Sequence, residues 1–384
     1  MLEFLQPINY EDIKKPNKEW AGFQLGKHIH FNDGDTAFDV EDYKIAIIGI
    51  EEDRSSTDNH GCGKGINHIR TELYELYVHF DMPKIIDLGD IKNGKTVKDS
   101  QIALKEILKH LLEKKVTTII IGGGHDLTYG QYMAYENSLH KAEMVIVDEK
   151  IDILETEVVN SSSFLWHIIN HEPSFLQNCT HLGHQVFYNN PKSVDILESL
   201  NFEALRLGEV RKDILEIEPF LRSADMLSMD LSCIKSSECP ANAVTSPNGF
   251  LGEEACQISR YAGFSNKISS FGLYEMNPYF DTNNQGAKQA SQILWYFIEG
   301  FSGRREDFPS EDNQNFMHYI VRLESADNEI GFWKSNFSNR WWMEMPQGNS
   351  EEKIYIPCSY SDYQTALKDE LPDKWMRAYA RLAE

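Results

Sequence analysis

Four residues carry the plainest chemistry in this sequence: His125, Asp148, Asp152 and Asp230. His125 and Asp126 close the run VTTIIIGGGHD, residues 116–126. Asp148 and Asp152 lie in DEKID, directly after the apolar EMVIV, and Asp230 ends ADMLSMD. Carboxylate oxygens and imidazole suit a hard divalent cation. One histidine and three aspartates, delivered by three different segments, therefore form a candidate cation site.

The elements that must position them are buried strands. An apolar run of this length closed by glycines reads as a parallel strand covered on both faces. In open α/β sheets, ligands sit outside the carboxyl ends of such strands. Tyr43–Ile50 (YKIAIIGI) is the first buried strand, and KIIDLGDI is a second, shorter one. Helical spacing follows each strand, as in VKDSQIALKEILKHLLEKK and NQGAKQASQILWYFIEGF. Strand, helix, strand in this order predicts right-handed crossovers. The expected fold is α/β, a three-layer, doubly wound and mostly parallel sheet with one core. CTHLGHQVF and FEALRLGEV are expected as strands, and RKDILEIEPFLRSA as one helix. The glycines at 61, 63 and 65 read as turn punctuation, because their spacing fits no phosphate-loop motif.

Residues 1–42 read as an N-terminal extension on the surface, 43–303 as the α/β domain, and 304–384 as a C-terminal extension packing on it. Trp333, Trp341 and Trp342 in that tail read as local core sooner than as a separate binding module. The formal charge of −23 argues against a nucleic-acid partner, which would call for a basic face. The start of the chain reads as lacking a secretory signal, and no run approaches the roughly 20 apolar residues of a membrane span. Six scattered cysteines without a CxxC pair suggest reduced thiols and a cytoplasmic protein. The expected partner is a small molecule; self-association is left open.

Several motifs together resemble the ureohydrolase superfamily of arginases, agmatinases and formimidoylglutamases. GGGHD resembles that family's first metal motif, and DEKID its Asp-Ala-His-x-Asp. SMDLS, followed by SPNGF, resembles its Ser-x-Asp-x-Asp, and YEMNPYFDTNNQGAKQASQILW its last motif. IDLGD and GKGINHIR look like further landmarks, and the long polar ends look most like formimidoylglutamases. The resemblance implies an arginase-like fold and hydrolysis of a linear amidine at a manganese centre. It places Glu275 on the carboxylate that meets the substrate's guanidinium or formimino end, gives Asp152 a catalytic position, and puts His167 where the family often carries a proton-shuttling histidine. A lone histidine in SSSFLWHI also fits a packed core residue.

Two departures qualify what the resemblance implies. The family's first ion is held by a His and three Asp, matched here by His125, Asp148, Asp152 and Asp230. The second ion needs a His and an Asp at positions that here hold Lys150 and Ser232. A charged lysine offers donors and no lone pair. The expectation is one Mn²⁺ at most, or none, with the Lys150 ammonium near the second ion's place and within about 4 Å of Asp148 or Asp230. Two readings follow: an amidine hydrolase with a degenerate metal site, or an inactive family member that binds a small ligand or protein. A deacetylase-like relative is a third reading, disfavoured because its metal motif differs.

Overall fold

The computed structural model describes residues 2–15, 18–138, 140–310, 314–324, 328–346 and 353–383. Ten strands form its main sheet: β1 (Leu5–Gln6), β2 (His30–Phe31), β3 (Ile45–Ile50), β4 (Ile85–Ile91), β5 (Thr117–Ile121), β6 (Ala142–Val147), β7 (Leu176–His184), β8 (Glu203–Arg206), β9 (Met226–Asp230) and β10 (Ser270–Tyr274). Their order is β1-β4-β3-β5-β10-β9-β6-β7-β8, with β2 also on β4. β1 runs antiparallel to β4, and the other pairings are parallel.

Side chains alternate across a strand, so a strand buried on both faces feeds two cores. β3 does this: Ile45 and Ile47 join one apolar cluster, Ala46, Ile48 and Ile50 the other. β5 does the same with Ile119 and Ile121 against Ile120. The helix Val97–Glu113 covers one face through Leu104, Ile107, Leu108 and Leu111. The helices Gly252–Phe264 and Gln285–Ser302 cover the other. The result is the three-layer, mostly parallel α/β sheet that the apolar runs imply.

Both ends of the chain differ from the sequence reading. Residues 1–42 do more than wrap the surface. They add β1 and β2 to the sheet edge, and Trp20 stacks on Phe31 at 5.5 Å and meets Tyr74 edge-on. The expected single core also fails at the other end. There β11 (Phe316–Leu323), β12 (Asn328–Ser335), β13 (Trp341–Pro346) and β14 (Lys353–Cys358) form an antiparallel sheet. It has an apolar cluster of its own, including Leu323, Phe332, Trp341, Met343 and Trp375. Residues 311–313, 325–327 and 347–352 of this tail lie outside the described residues.

Two smaller expectations also change. FEALRLGEV is strand only over β8, and the helix Leu207–Lys212 follows at once. RKDILEIEPFLRSA is not one helix, because Asp213 is extended and caps a short 3-10 turn, Ile214–Ile217. Pro219 then opens the helix Glu218–Ser223 in its first turn, where a missing N–H costs nothing.

Candidate active site

The strands β5, β10, β9 and β6 are consecutive neighbours in the middle of the sheet. Neighbouring strands lie about 4.8 Å apart, so the residues after their carboxyl ends emerge side by side. This is what brings His125, Glu275, Asp230 and Asp148 together from distant parts of the chain. The turn after β5 is tight. A Cβ on Gly123 would stand 2.0 Å from the Glu52 carbonyl oxygen, so only glycine lets the two loops touch. The Glu275 N–H donates to the Gly123 carbonyl at 2.8 Å and ties the last strand tip to the same turn.

His125 is fully buried, and its two ring nitrogens face different neighbours. Nε2 bonds the Ser228 hydroxyl at 2.9 Å, and Ser228 in turn meets Thr128 at 2.6 Å. Nδ1 faces three carboxylates: Asp148 Oδ2 at 3.1 Å, and Asp152 Oδ2 and Asp230 Oδ2 at 3.5 Å each. The other oxygens of two of these groups are capped by backbone. Asp148 Oδ1 accepts from the Lys150 N–H at 3.1 Å, and Asp230 Oδ1 from the Ser232 N–H at 2.6 Å. One oxygen from each of the three aspartates thus converges on one imidazole nitrogen.

Such a cluster is electrostatically expensive by itself. Burial and the Asp148 charge push the Asp152 and Asp230 carboxyls well above the usual range. Burial also works against Asp148, but the bond from His125 outweighs it and holds that carboxyl low. Burial disfavours a charged His125, yet bonds to Asp148 and Asp152 hold its pKa well above the ordinary value. Three acids around one ring are a place prepared for positive charge. The atoms from His125, Asp148 and Asp230 that could ligate an ion all lie within 4.8 Å of one another.

Glu275 closes the other side of a narrow cleft of about 30 Å³ that Asp148, Asp152, Asp230, Lys150 and Ser232 also line. Its backbone is left-handed, φ 67°, which turns the side chain inward from the strand end. Its carboxylate accepts from the His125 N–H at 2.8 Å, Ser56 Oγ at 2.9 Å and Asn59 Nδ2 at 2.8 Å. Burial still pushes its pKa up despite these donors. Ser56, Asn59 and Asn242, which donates to the Glu275 carbonyl at 3.2 Å, had no part in the sequence reading. The signal available for the first two was a polar loop directly after a buried strand, EEDRSSTDNHG.

The expected Lys150 ion pair is not present. Lys150 lines the cleft, but among the described residues no carboxylate oxygen lies within 4.0 Å of its Nζ. Its backbone N–H already serves Asp148, and its half-exposed side chain keeps its ammonium hydrated at lower cost than a buried pairing. Its carbonyl accepts from His181 Nε2 at 2.9 Å, a contact the sequence gave no sign of. Ser232 Oγ donates to Asp148 Oδ1 at 3.4 Å. His167 sits on the short helix Phe164–Ile169, half-buried, with Nε2 3.3 Å from the Thr156 hydroxyl, and is not among the cleft's lining side chains. Burial lowers its pKa.

The two further landmarks make a structural strap. Arg70 Nε and Nη2 donate to both oxygens of Asp87 at 2.8 and 2.9 Å, and Nη1 reaches Asp90 at 2.5 Å. Tyr74 OH adds a short bond to Asp87. Both Arg70 and Asp87 are fully buried. The strap fastens the helix Ile66–Leu73 beneath β4.

Fold and site together define a doubly wound α/β protein with a candidate His/Asp cation site at the carboxyl ends of its central strands. The chain belongs to the arginase family: the sequence model described as Arginase family matches residues 43–299. Within that family it is formimidoylglutamase-like. It is 25% identical over 283 residues to the formimidoylglutamase of Streptococcus gordonii, covering 68% of this chain and 85% of the relative. With the formimidoylglutamase of Geobacillus sp. it shares 24% over 322 residues, covering 76% and 98%. Among solved structures, formiminoglutamase of Trypanosoma cruzi with Mn²⁺ superposes at a TM-score of 0.67 and 20% identity, covering 73% of this chain and 99% of that one. Formimidoylglutamase of Bacillus subtilis gives 0.67 at 17% identity, with 77% and 98% covered. At such identities the superpositions speak for the fold alone.

Proposed function

We propose that this chain is a hydrolase of a linear amidine of the formimidoylglutamate type, working with one Mn²⁺ ion. The observation that carries this reading is the convergence of three Oδ2 atoms on His125 Nδ1, beside Glu275 in one cleft. The donor set fits a single ion: one imidazole nitrogen and three carboxylate oxygens, with the buried Nδ1 facing all three at 3.1–3.5 Å. His125, Asp148, Asp152 and Asp230 would hold it. A divalent ion there would supply Lewis acidity, easing the ionisation of water and polarising the amidine.

The protein's own groups supply the rest. Ser228 Oγ, 2.9 Å from Nε2, orients the ring, and by accepting the Nε2–H it would leave the Nδ1 lone pair to an ion. Glu275, held by Ser56, Asn59 and the His125 N–H, offers a carboxylate to a cationic amidine across the cleft. Asp152, which the resemblance gives a catalytic position, lines the same cleft with Oδ2 3.5 Å from His125 Nδ1. The second reading, a family member that binds without turning over, is favoured by Lys150 and Ser232, which leave no ligand pair for another ion.

Elemental analysis and a formamide-release assay on formimidoylglutamate test the proposal together. One manganese per chain with formamide release supports hydrolysis. One manganese without release of formamide, or of urea from guanidino substrates, favours the binding reading. Two manganese ions per chain would overturn the single-ion account.

A further inference from the structure

A second cavity, of about 870 Å³, shares no lining residue with the cleft and lies between the α/β body and the C-terminal sheet. From the body, the helix Glu218–Ser223 contributes Phe220 and Arg222. From the tail come Trp342 on β13 and Ile354, Tyr355 and Ile356 on β14. The last helix, Asp373–Ala383, adds Lys374 and Arg381. A volume of this size is ordinary for a small-molecule site, and its lining sets apolar side chains beside charges of both signs.

The charges are unevenly matched. Arg222 is only 8% exposed, with its guanidinium carbon 4.3 Å over the Trp342 ring. Its Nη2 donates to the carbonyls of Trp341 and Cys358 at 3.0 and 3.2 Å, while Nε and Nη1 have no hydrogen-bond partner. Both nitrogens lie buried in the wall, so what Arg222 offers the cavity is its charge. The nearby Glu218 does not balance the charge, because it is shared: Oε2 lies 3.1 Å from Arg222 and Oε1 3.0 Å from Arg340. Lys374 Nζ rests 3.6 Å from the centre of the Phe220 ring, and among the described residues no carboxylate oxygen lies within 4.0 Å of it.

Two of the lining carboxylates are already paired with other cations. Glu143 pairs with Lys267 at 2.7 Å and Glu203 with Arg381 at 3.6 Å, while Glu306 is exposed. Asp307 bonds the Ser338 hydroxyl. Around Phe220 and Arg222, then, two guanidiniums share one carboxylate and Lys374 has none within 4.0 Å among the described residues, so the local excess on that part of the wall is cationic. Beside that wall stands an exposed aromatic: Phe308 is 60% exposed and meets Tyr355 edge-on at 5.8 Å.

We infer that this cavity binds a small organic carboxylate, its acid group among Arg222, Arg340 and Lys374 and its aliphatic or aromatic body against Trp342, Ile354 and Tyr355. Guanidinium recognises carboxylate with planar, charge-assisted bonds. The apolar body would cover Phe308. The site is separate from the amidine cleft and stands whether or not that cleft turns over.

Isothermal titration of the full chain with decanoate and 1-naphthoate tests this, with decan-1-ol and inorganic phosphate as controls. Stoichiometric binding of at least one of the two carboxylates, at least tenfold tighter than the alcohol and than phosphate, is expected. Arg340→Met and Lys374→Ser should each weaken the carboxylate about tenfold and leave the alcohol unchanged. Ile354→Glu should abolish both. Lys374 is half-exposed, so its variant folds even if the others do not. Carboxylate binding unaffected by Lys374→Ser would overturn the inference. So would phosphate binding as tightly as decanoate, or the absence of any carboxylate binding at 1 mM.

Discussion

Each site residue owes its behaviour to its immediate neighbours, and three changes test this. The resemblance sets Lys150 and Ser232 at the ligand positions of a second ion, so on the proposed single-ion reading Lys150→His with Ser232→Asp should raise manganese from one to two per chain by elemental analysis. An unchanged count would show that more than two side chains were lost. Glu275 accepts three hydrogen bonds with one carboxylate, and glutamine keeps the shape without the charge. A charge-assisted bond to a buried cation contributes about 1.5–3 kcal/mol. Glu275→Gln should therefore lower kcat/KM for formamide release ten- to a hundredfold, and an unchanged value would remove Glu275 from amidine recognition. Asp126 tests pH. Burial first, and Glu275 next, push its carboxyl up to about 8, with Oδ1 unpartnered and Oδ2 taking Gln101 at 3.2 Å. Folding thus favours the protonated form. The stability this confers is complete below the ordinary carboxylate range and is lost as the pH rises towards 8. In urea unfolding, Asp126→Asn should match the wild type near pH 4 and exceed it by a few kcal/mol at pH 9. A constant difference across that range would contradict the assignment.

Elements explain why part of this site was legible in the sequence. β5, β6 and β9 are apolar runs closed by glycine or aspartate, so their tips, and with them His125, Asp148 and Asp230, could be read directly. Glu275 came only through a resemblance, because SSFGLYE closes on no glycine and its inward turn rests on a positive φ that sequence does not display. β1 and β2 are two residues each, shorter than one period of alternation, and so left no pattern. Lys150 was misjudged for a different reason. Charge counting fixes how many cations a site needs but not whether a side chain turns inward or stays in water. The Arg70–Asp87 strap shows the opposite case, in which two landmark motifs serve an element interface and not the chemistry. Arg70→Met would leave Asp87 buried with no cation, a loss of roughly 3–5 kcal/mol by the usual cost of breaking such a pair. A thermal or urea midpoint within about 0.5 kcal/mol of wild type would mean that Asp87 is satisfied by Tyr74 and protonation alone.

At the scale of the whole molecule, the C-terminal sheet is both a unit with its own apolar cluster and a cover for the body. Arg222 of the body donates to Trp341 and Cys358 of the tail, and Arg340 of the tail reaches Glu218 of the body at 3.0 Å. Arg377 on the last helix donates to the Phe202 carbonyl at 3.0 Å, next to β8. These contacts lie at the β8 side of the sheet and on the helix Glu218–Ser223, away from the tips that carry the cation site. Removing residues 305–384 should therefore separate stability from ion binding. It would strip partners from the buried Arg222 and expose Phe220. It would leave His125, Asp148, Asp152 and Asp230 with all the neighbours described above. The shortened chain should melt several degrees lower, since each kcal/mol is about 2–4 °C in a body of this size, yet keep the wild-type manganese count. An unchanged melting temperature would show that the sheet is a tethered passenger. Loss of manganese from a shortened chain with a native far-ultraviolet spectrum would show that the tail reaches the cleft through the body, a coupling that none of the contacts above provides.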